Sequence, residues 1–293
     1  MSTILKWAGN KTAIMPELKK HLPAGPRLVE PFAGSCAVMM ATDYPHYLVA
    51  DINPDLINLY QEIVRNTSDF IERAKHLFNV FNTEHGYYDS RDSFNHDDEK
   101  IWKAPLFLFL NRHGYRGLCR YNKKGHFNVP YGNYKKPYFP ENEIRAFAEK
   151  AQRATFICAS YEETLAMLQH GDVIYCDPPY DGTFSNYHTD GFNEADQRRL
   201  ASILSQKATA GHVVVASNSD TQLTRDLYFN FGNFACYGVA AKRSMGVAAG
   251  DAKSATEIIA VLKPPFTYVD ELPWFGVDLA AGSKHSASDG VQA

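Results

Sequence analysis

No two of the five cysteines (Cys36, Cys119, Cys158, Cys176, Cys236) fall in a CxxC pair. That spacing argues against a zinc centre or a disulfide framework and suits a reducing compartment, so no metal is expected. Long apolar runs are missing as well. None approaches the roughly 18 residues that suggest a membrane span, and Met1 to Lys20 lacks the uninterrupted apolar core of a signal peptide. The expectation is a cytoplasmic protein without membrane attachment. No internal repeat is visible, and nothing marks an obligate protein partner. What the chain does have is 45% hydrophobic content over 293 residues, enough to bury a sizeable core in one large domain or two small ones.

Acidic residues are missing from one stretch. From Lys103 through Pro140 there is no Asp or Glu, while Lys103, Arg112, Arg116, Arg120, Lys123, Lys124, Lys135 and Lys136 are basic. The net charge of -3 therefore hides an asymmetry, because elsewhere 22 basic residues face 33 acidic ones. Tyr115, Tyr121, Phe127, Tyr131, Tyr134 and Tyr138 are interleaved with these cations. Cations alternating with aromatics suit contact with phosphates and bases. The bland alternative is a solvated loop.

The first sixty residues alternate as α/β folds do. Leu28 to Phe32 reads as a strand, Gly34 as a tight turn and Ala37 to Thr42 as a helix. Tyr47 to Ala50 reads as a second strand ending at Asp51, and Asn53 caps a helix that tolerates Pro54 in its first turn. From about Leu59 to Lys150 the pattern turns helical, as in Ser68 to Phe81, and then basic. Strands resume at Thr155 to Ala159, Asp172 to Cys176 and His212 to Ala216, with helices at Tyr161 to Leu168 and Glu194 to Lys207. Phe234 to Val239 and Thr256 to Leu262 can close the sheet as an antiparallel pair. The expected organisation is one α/β catalytic domain (1–60 and 151–265) interrupted by an inserted domain (61–150). A tail over 266–293 follows, its last part disordered by composition.

In an open parallel sheet, ligands bind beyond the carboxyl ends of the strands, near the point where strand order reverses. Glu30-Pro31-Phe32-Ala33-Gly34 and Asp51 both fall at such ends, and an acidic side chain there can hold the ribose hydroxyls of a nucleoside. Alone this pairing is weak. Asp177-Pro178-Pro179-Tyr180, directly after a strand, is more specific. Two prolines remove two N–H groups and leave carbonyl oxygens as acceptors. The Asp177 carboxylate and the Pro178 carbonyl could grip the two N–H bonds of an exocyclic amine, with Tyr180 stacked on a base swung out of a duplex. Cys176, beside the motif, belongs to a buried-strand pattern and reads as core rather than nucleophile.

Asp-Pro-Pro-Tyr, the early Lys6-Trp7-Ala8-Gly9-Asn10-Lys11 and Glu30-Pro31-Phe32-Ala33-Gly34 stand in the order seen in Dam-type DNA adenine methyltransferases of the D12 class. Leu110 to Asn122, Phe127 to Gly132 and Tyr134 to Pro140 resemble that family's DNA-reading hairpin. The resemblance spans roughly Ile4 to Lys263. It implies a Rossmann-like methyltransferase sheet with an inserted, mainly helical DNA-recognition domain. It further implies S-adenosylmethionine as methyl donor, held by Trp7, Lys11, Phe32, Gly34, Asp51 and Asp177, with Ser160 and Tyr161 near its adenine. Catalysis would fall to Asp177, Pro178 and Tyr180. Double-stranded DNA would be the partner, keeping the protein with the nucleoid, and GATC the site. Base contacts would come from Lys6, Leu118, Arg120, Pro130 and Tyr134, with Tyr115 and Arg116 at the space left by the extruded base. Arg91, Arg112, Asn122, Asn128 and Lys135 would contact phosphates. Arginine suits guanine because its guanidinium can grip O6 and N7 together.

Several positions depart from the family pattern. Gly34-Ser35-Cys36 lacks a frequent second glycine, so the cofactor loop is expected to follow a different path. Asn10 replaces a frequent glycine, which a left-handed backbone would tolerate. Arg116 stands where asparagine is common, and Asp181 to His188 is short for a loop closing over substrate. Asp-Pro-Pro-Tyr alone does not separate adenine in DNA from adenine in RNA or from the 4-amino group of cytosine. A non-catalytic DNA-binding regulator is opposed by the intact Asp177, Tyr180 and Asp51.

Overall fold

Apolar runs bounded by polar residues form seven strands: β1 (Arg27–Glu30), β2 (His46–Asp51), β3 (Ala154–Cys158), β4 (Val173–Cys176), β5 (Val213–Ser219), β6 (Ala235–Lys242) and β7 (Ser254–Leu262). The computed structural model describes residues 3–96, 99–180, 192–242 and 254–265. The expectations for Asp181 to His188 and for the tail fall outside the described residues. The strands lie in one sheet of order β3-β2-β1-β4-β5-β7-β6. The first five pair in parallel, whereas β7 runs antiparallel to both β5 and β6. Thus the expected closing pair forms, with β7 rather than β6 beside β5.

This is the Rossmann-like α/β arrangement that the alternation implied. Chain order reverses between β1 and β4, so the crevice lies at their carboxyl ends. β1 stops at Glu30, shorter than the Leu28 to Phe32 run predicted, because Pro31 has no N–H to offer a ladder.

Helices α1 (Met15–His21) and α2 (Ala37–Ala41) flank the first strand. Between β2 and β3 lie α3 (Pro54–Arg65), α4 (Thr67–Val80), α5 (Glu84–His96), α6 (Lys100–His113) and α7 (Glu141–Lys150). The Asn53 side chain caps α3 by accepting from Asp55 and Leu56 N–H, and Asn66 caps α4. Residue 61, the expected edge of the insertion, lies inside α3. α6 is buried without interruption from Ala104 to His113, as a helix apolar on all sides must be. Its Pro105 cannot donate to the Ile101 carbonyl one turn earlier, and Arg73 Nη1 supplies a donor there at 3.4 Å. Phe107 and Phe109 of α6 share one core with Leu28 and Val49 of the sheet, so the helices pack directly onto it. On the other side α8 (Tyr161–Ala166), α9 (Glu194–Thr209) and α10 (Gln222–Gly232) contribute Leu165, Leu200, Leu204 and Leu227 against Ile174, Val214 and Ile258.

Candidate active site

β4 is buried along its whole length and delivers Asp177 to the crevice. The Asp177 carboxylate meets Lys11, carried on the 3-10 turn Lys11–Ala13 that Asn10 caps with its side chain. Asn10 takes an ordinary extended conformation (φ -52°, ψ 127°), not the left-handed one that would favour glycine; Gly9 has the positive φ, 74°. Lys11 is 4% exposed, and its Nζ lies 2.8 Å from Asp177 Oδ2 and donates to the Gly9 carbonyl at 2.6 Å. The other oxygen, Asp177 Oδ1, is buried with no hydrogen-bond partner among the described residues. Burial pushes the Asp177 carboxyl up to about 6, against the downward pull of Lys11. Next to it the Pro179 carbonyl accepts from Gln197 Nε2 at 2.8 Å, which anchors the double-proline corner to α9. The Tyr180 ring lies 4.8 Å from Lys11 Nζ, and its hydroxyl donates to Glu257 Oε2 at 2.9 Å.

Along the same crevice the chain turns sharply after β1. Gly34 has φ +46°, and a Cβ there would come within 2.7 Å of Trp7 Nε1. Two residues on, buried Cys36 is left-handed as well (φ 56°), a conformation that glycine adopts more easily than other residues. Asp51 ends β2 and accepts from Gly34 N–H at 3.1 Å and from Asn53 N–H at 3.0 Å, which ties the two turns together. Phe32 stacks on Tyr161 with ring centres 5.5 Å apart, and Phe192 sets its edge to both at 5.9 and 6.1 Å. Ser160 caps α8 and forms a capping box with Glu163. Glu30 is buried at the end of β1 with Oε1 unpartnered among the described residues, and desolvation raises its carboxyl to about 8. Cys176 is fully buried, and burial raises its thiol far above the usual range, consistent with its core reading.

The acid-free stretch folds back on itself without a continuous ladder. Among the described residues only two isolated antiparallel bridges join its arms, Gly114 to Tyr131 and Tyr121 to Phe127. Backbone bonds, such as Tyr115 N–H to the Pro130 carbonyl at 2.8 Å and Asn128 N–H to the Arg120 carbonyl at 3.0 Å, are supplemented by side chains. Asn122 Oδ1 accepts from Lys124 and His126 N–H, and exposed Arg120 donates from Nε to Asn128 Oδ1 at 2.8 Å. Arg116 sits at φ 53°, with its N–H on the Tyr134 hydroxyl at 3.1 Å. Lys6 Nζ lies 3.8 Å over the Tyr134 ring, and burial lowers its pKa. Arg91 donates to the Val129 carbonyl at 3.1 Å. Leu118 is half-buried, Tyr115 is 44% exposed, and Pro130 and Lys135 are exposed. Two contacts join this region to the crevice: Tyr121 hydroxyl to Asp55 Oδ2 at 2.7 Å, and Asn53 Nδ2 to Cys119 Sγ at 3.6 Å.

The family model of the D12 class N6 adenine-specific DNA methyltransferases matches residues 7–245. The chain belongs to that class. This methyltransferase is 67% identical over 289 residues to the Retron Ec67 DNA adenine methylase of Escherichia coli, covering 98% of each chain. It is 49% identical to a DNA adenine methylase of Serratia marcescens, over 82% of this chain and 91% of that one. The DNA adenine methylase of Escherichia coli strain K12 is 44% identical over 89% and 95%. The chain is therefore an adenine-specific DNA methyltransferase.

Within this methyltransferase the fold gathers Lys11, Asp177, Pro178 and Tyr180 at one end of the crevice and Trp7, Phe32, Gly34, Asp51, Ser160 and Tyr161 along it. One expected phosphate contact departs from its role. Arg112 is 7% exposed, and its guanidinium bonds the Ile4 carbonyl, with Nε at 2.9 Å, and the Thr3 carbonyl at 3.0 Å. Its charge thus anchors the N-terminal segment that carries Lys6 and Trp7. Sequence reading missed Glu257, Gln197 and Phe192, which sit in no motif; only their position after folding marks them. Among the described residues no cluster of three His, Cys, Asp or Glu could hold a metal, and no helix is long and apolar enough to cross a membrane.

Proposed function

We propose that the enzyme moves a methyl group from S-adenosylmethionine to the N6 amine of adenine in double-stranded DNA, at GATC, after rotating the base out of the helix. The observation that carries this reading is the division of labour within Asp177. Oδ2 is held by Lys11, whose Nζ also lies 4.8 Å from the Tyr180 ring, while Oδ1 remains a buried acceptor with no hydrogen-bond partner among the described residues. An amine N–H donating to Oδ1, with its ring against Tyr180, is held with its lone pair available for attack. The Pro178 carbonyl, in the corner anchored by Gln197, would take the second N–H.

The residues of the crevice fit the donor. Asp51 is a carboxylate at the end of β2, suited to ribose hydroxyls, and Phe32, Tyr161 and Phe192 form an aromatic corner suited to an adenine. Two carboxylates, Asp177 and Glu257, surround one ammonium, Lys11, and the surplus negative charge suits a cationic sulfonium. When bound, that sulfonium supplies an activated methyl group, so no metal and no covalent enzyme intermediate are required. The protein's part is positioning and exclusion of water.

In the same reading residues 1–60 and 151–265 form the catalytic domain and 61–150 the target-recognition domain. Arg120 reads guanine, Lys6, Leu118, Pro130 and Tyr134 contact bases, and Tyr115 with Arg116 fills the emptied stack. Arg91, Asn122, Asn128 and Lys135 contact phosphates. DNA as substrate puts the enzyme at the nucleoid in the cytoplasm. Tritiated methyl transfer to a GATC duplex, a GATT duplex and a structured RNA tests this: label should enter the first alone, and equal labelling of all three would overturn the site and the substrate together.

A further inference from the structure

Glu257 lies in the middle of β7, paired with Ser219 of β5 on one side and Val239 of β6 on the other. It is 9% exposed, an unfavourable place for a carboxylate without partners. Both of its partners belong to the site. The Tyr180 hydroxyl donates to Oε2 at 2.9 Å, and Lys11 Nζ stands 3.8 Å from the same oxygen while lying 2.8 Å from Asp177 Oδ2. A phenol ring free to turn about two side-chain bonds presents a flat face only if its far end is tied, and here it is tied to a sheet strand. Lys11, held between two carboxylates, in turn keeps Asp177 Oδ2 engaged and leaves Oδ1 open.

We propose that Glu257 is a positioning residue for the methyl transfer: its carboxylate sets the plane of Tyr180 and, through Lys11, the orientation of Asp177. The inference rests on the amine-methylation reading given above. The charged and titratable groups around Asp177 are Lys11 from the 3-10 turn, Glu257 from β7, Glu30 from β1, Tyr175 and Cys176 from β4, Tyr228 from α10 and Tyr180. Of these, Glu257 adds negative charge, whereas Glu30 is held in its neutral form by burial, so neutralising Glu257 should make Asp177 easier to ionise.

The test uses the full-length enzyme with Glu257→Ala, Glu257→Gln, Tyr180→Phe and the Tyr180→Phe/Glu257→Ala double variant. The single-turnover rate on a GATC duplex, duplex affinity and the titration of the Asp177 carboxyl by carbon-13 NMR are measured. Glu257→Ala and Tyr180→Phe should each slow transfer by about 10- to 100-fold with duplex affinity little changed, a loss in keeping with displacement of a reacting group. The double variant should lose no more than the worse single one, since both changes break the same bond. Glu257→Gln, which keeps the shape and an acceptor oxygen, should move the Asp177 midpoint below the parent's. Wild-type rates in a folded Glu257→Ala, losses that multiply, or an unmoved Asp177 midpoint in Glu257→Gln would each overturn the inference. If alanine prevents folding, the glutamine variant decides. An inactive parent enzyme would instead defeat the methylation reading, and the NMR midpoint would still judge the placement of Glu257.

Discussion

Asp177 is pulled in two directions, upward by burial and downward by Lys11, and burial prevails. The ionised carboxylate is the stronger acceptor for an amine N–H. The single-turnover rate should therefore fall as pH drops through about 6, where Asp177 takes up a proton; a rate flat to pH 5 would mean that another group grips the amine. Asp177→Ala should abolish transfer and leave duplex binding intact in a gel-shift assay. Glu30 shows the same physics with no counterion among the described residues. Its folded pKa, about 8, lies above the 4.5 of a free carboxyl. Folding thus holds a proton that the unfolded chain releases, and the parent loses stability as pH rises from about 4.5 to 8. Glu30→Gln should flatten that decline, melting above the parent at pH 8.5 with the gap closing toward pH 5 in a calorimeter. A gap that widened toward acid would show that Glu30 is ionised in the fold.

At the scale of elements, the recognition segment depends on tight approaches more than on strand pairing. Gly117 has φ +66°, and a Cβ there would fall 2.3 Å from Lys6 Cβ. Asn111, on buried α6, binds both partners of that approach: Oδ1 accepts from Lys6 N–H at 2.9 Å, while Nδ2 donates to the Lys6 carbonyl at 2.8 Å and the Gly117 carbonyl at 3.0 Å. Gly117→Ala introduces a clash and a strained backbone together. It should lower stability by about 1–3 kcal/mol and weaken discrimination between GATC and a one-base variant. Unchanged melting and unchanged discrimination would mean that Lys6 yields without moving the segment. The Tyr121–Asp55 and Asn53–Cys119 contacts explain how that discrimination can reach the crevice, since Asn53 follows Asp51 by only two residues.

Across the whole molecule, the charge asymmetry predicts how DNA binding responds to salt. Affinity should fall linearly on a log–log plot, and Lys135→Ala should reduce the slope by about 1 if it neutralises one phosphate. An unchanged slope would place Lys135 off the DNA. Arg112 shows why such assignments need the fold: it belongs to the acid-free stretch, yet its place on buried α6 turns its guanidinium inward. Much of the α/β order was legible because strand ends, caps and the Asp-Pro-Pro-Tyr corner are local patterns with local causes. Asn53 marked the start of α3, and Pro31 the end of β1, through bonds made or refused within a few residues. Class and chemistry were legible for the same reason. The insertion of β7 between β5 and β6 was not, and with it came Glu257 beside Tyr180, 77 residues away in sequence. The sequence alone determined the class of enzyme and marked the groups proposed for its chemistry. Only tertiary structure decided which groups orient them, because burial and long-range pairing set a side chain's partners and a motif does not encode them.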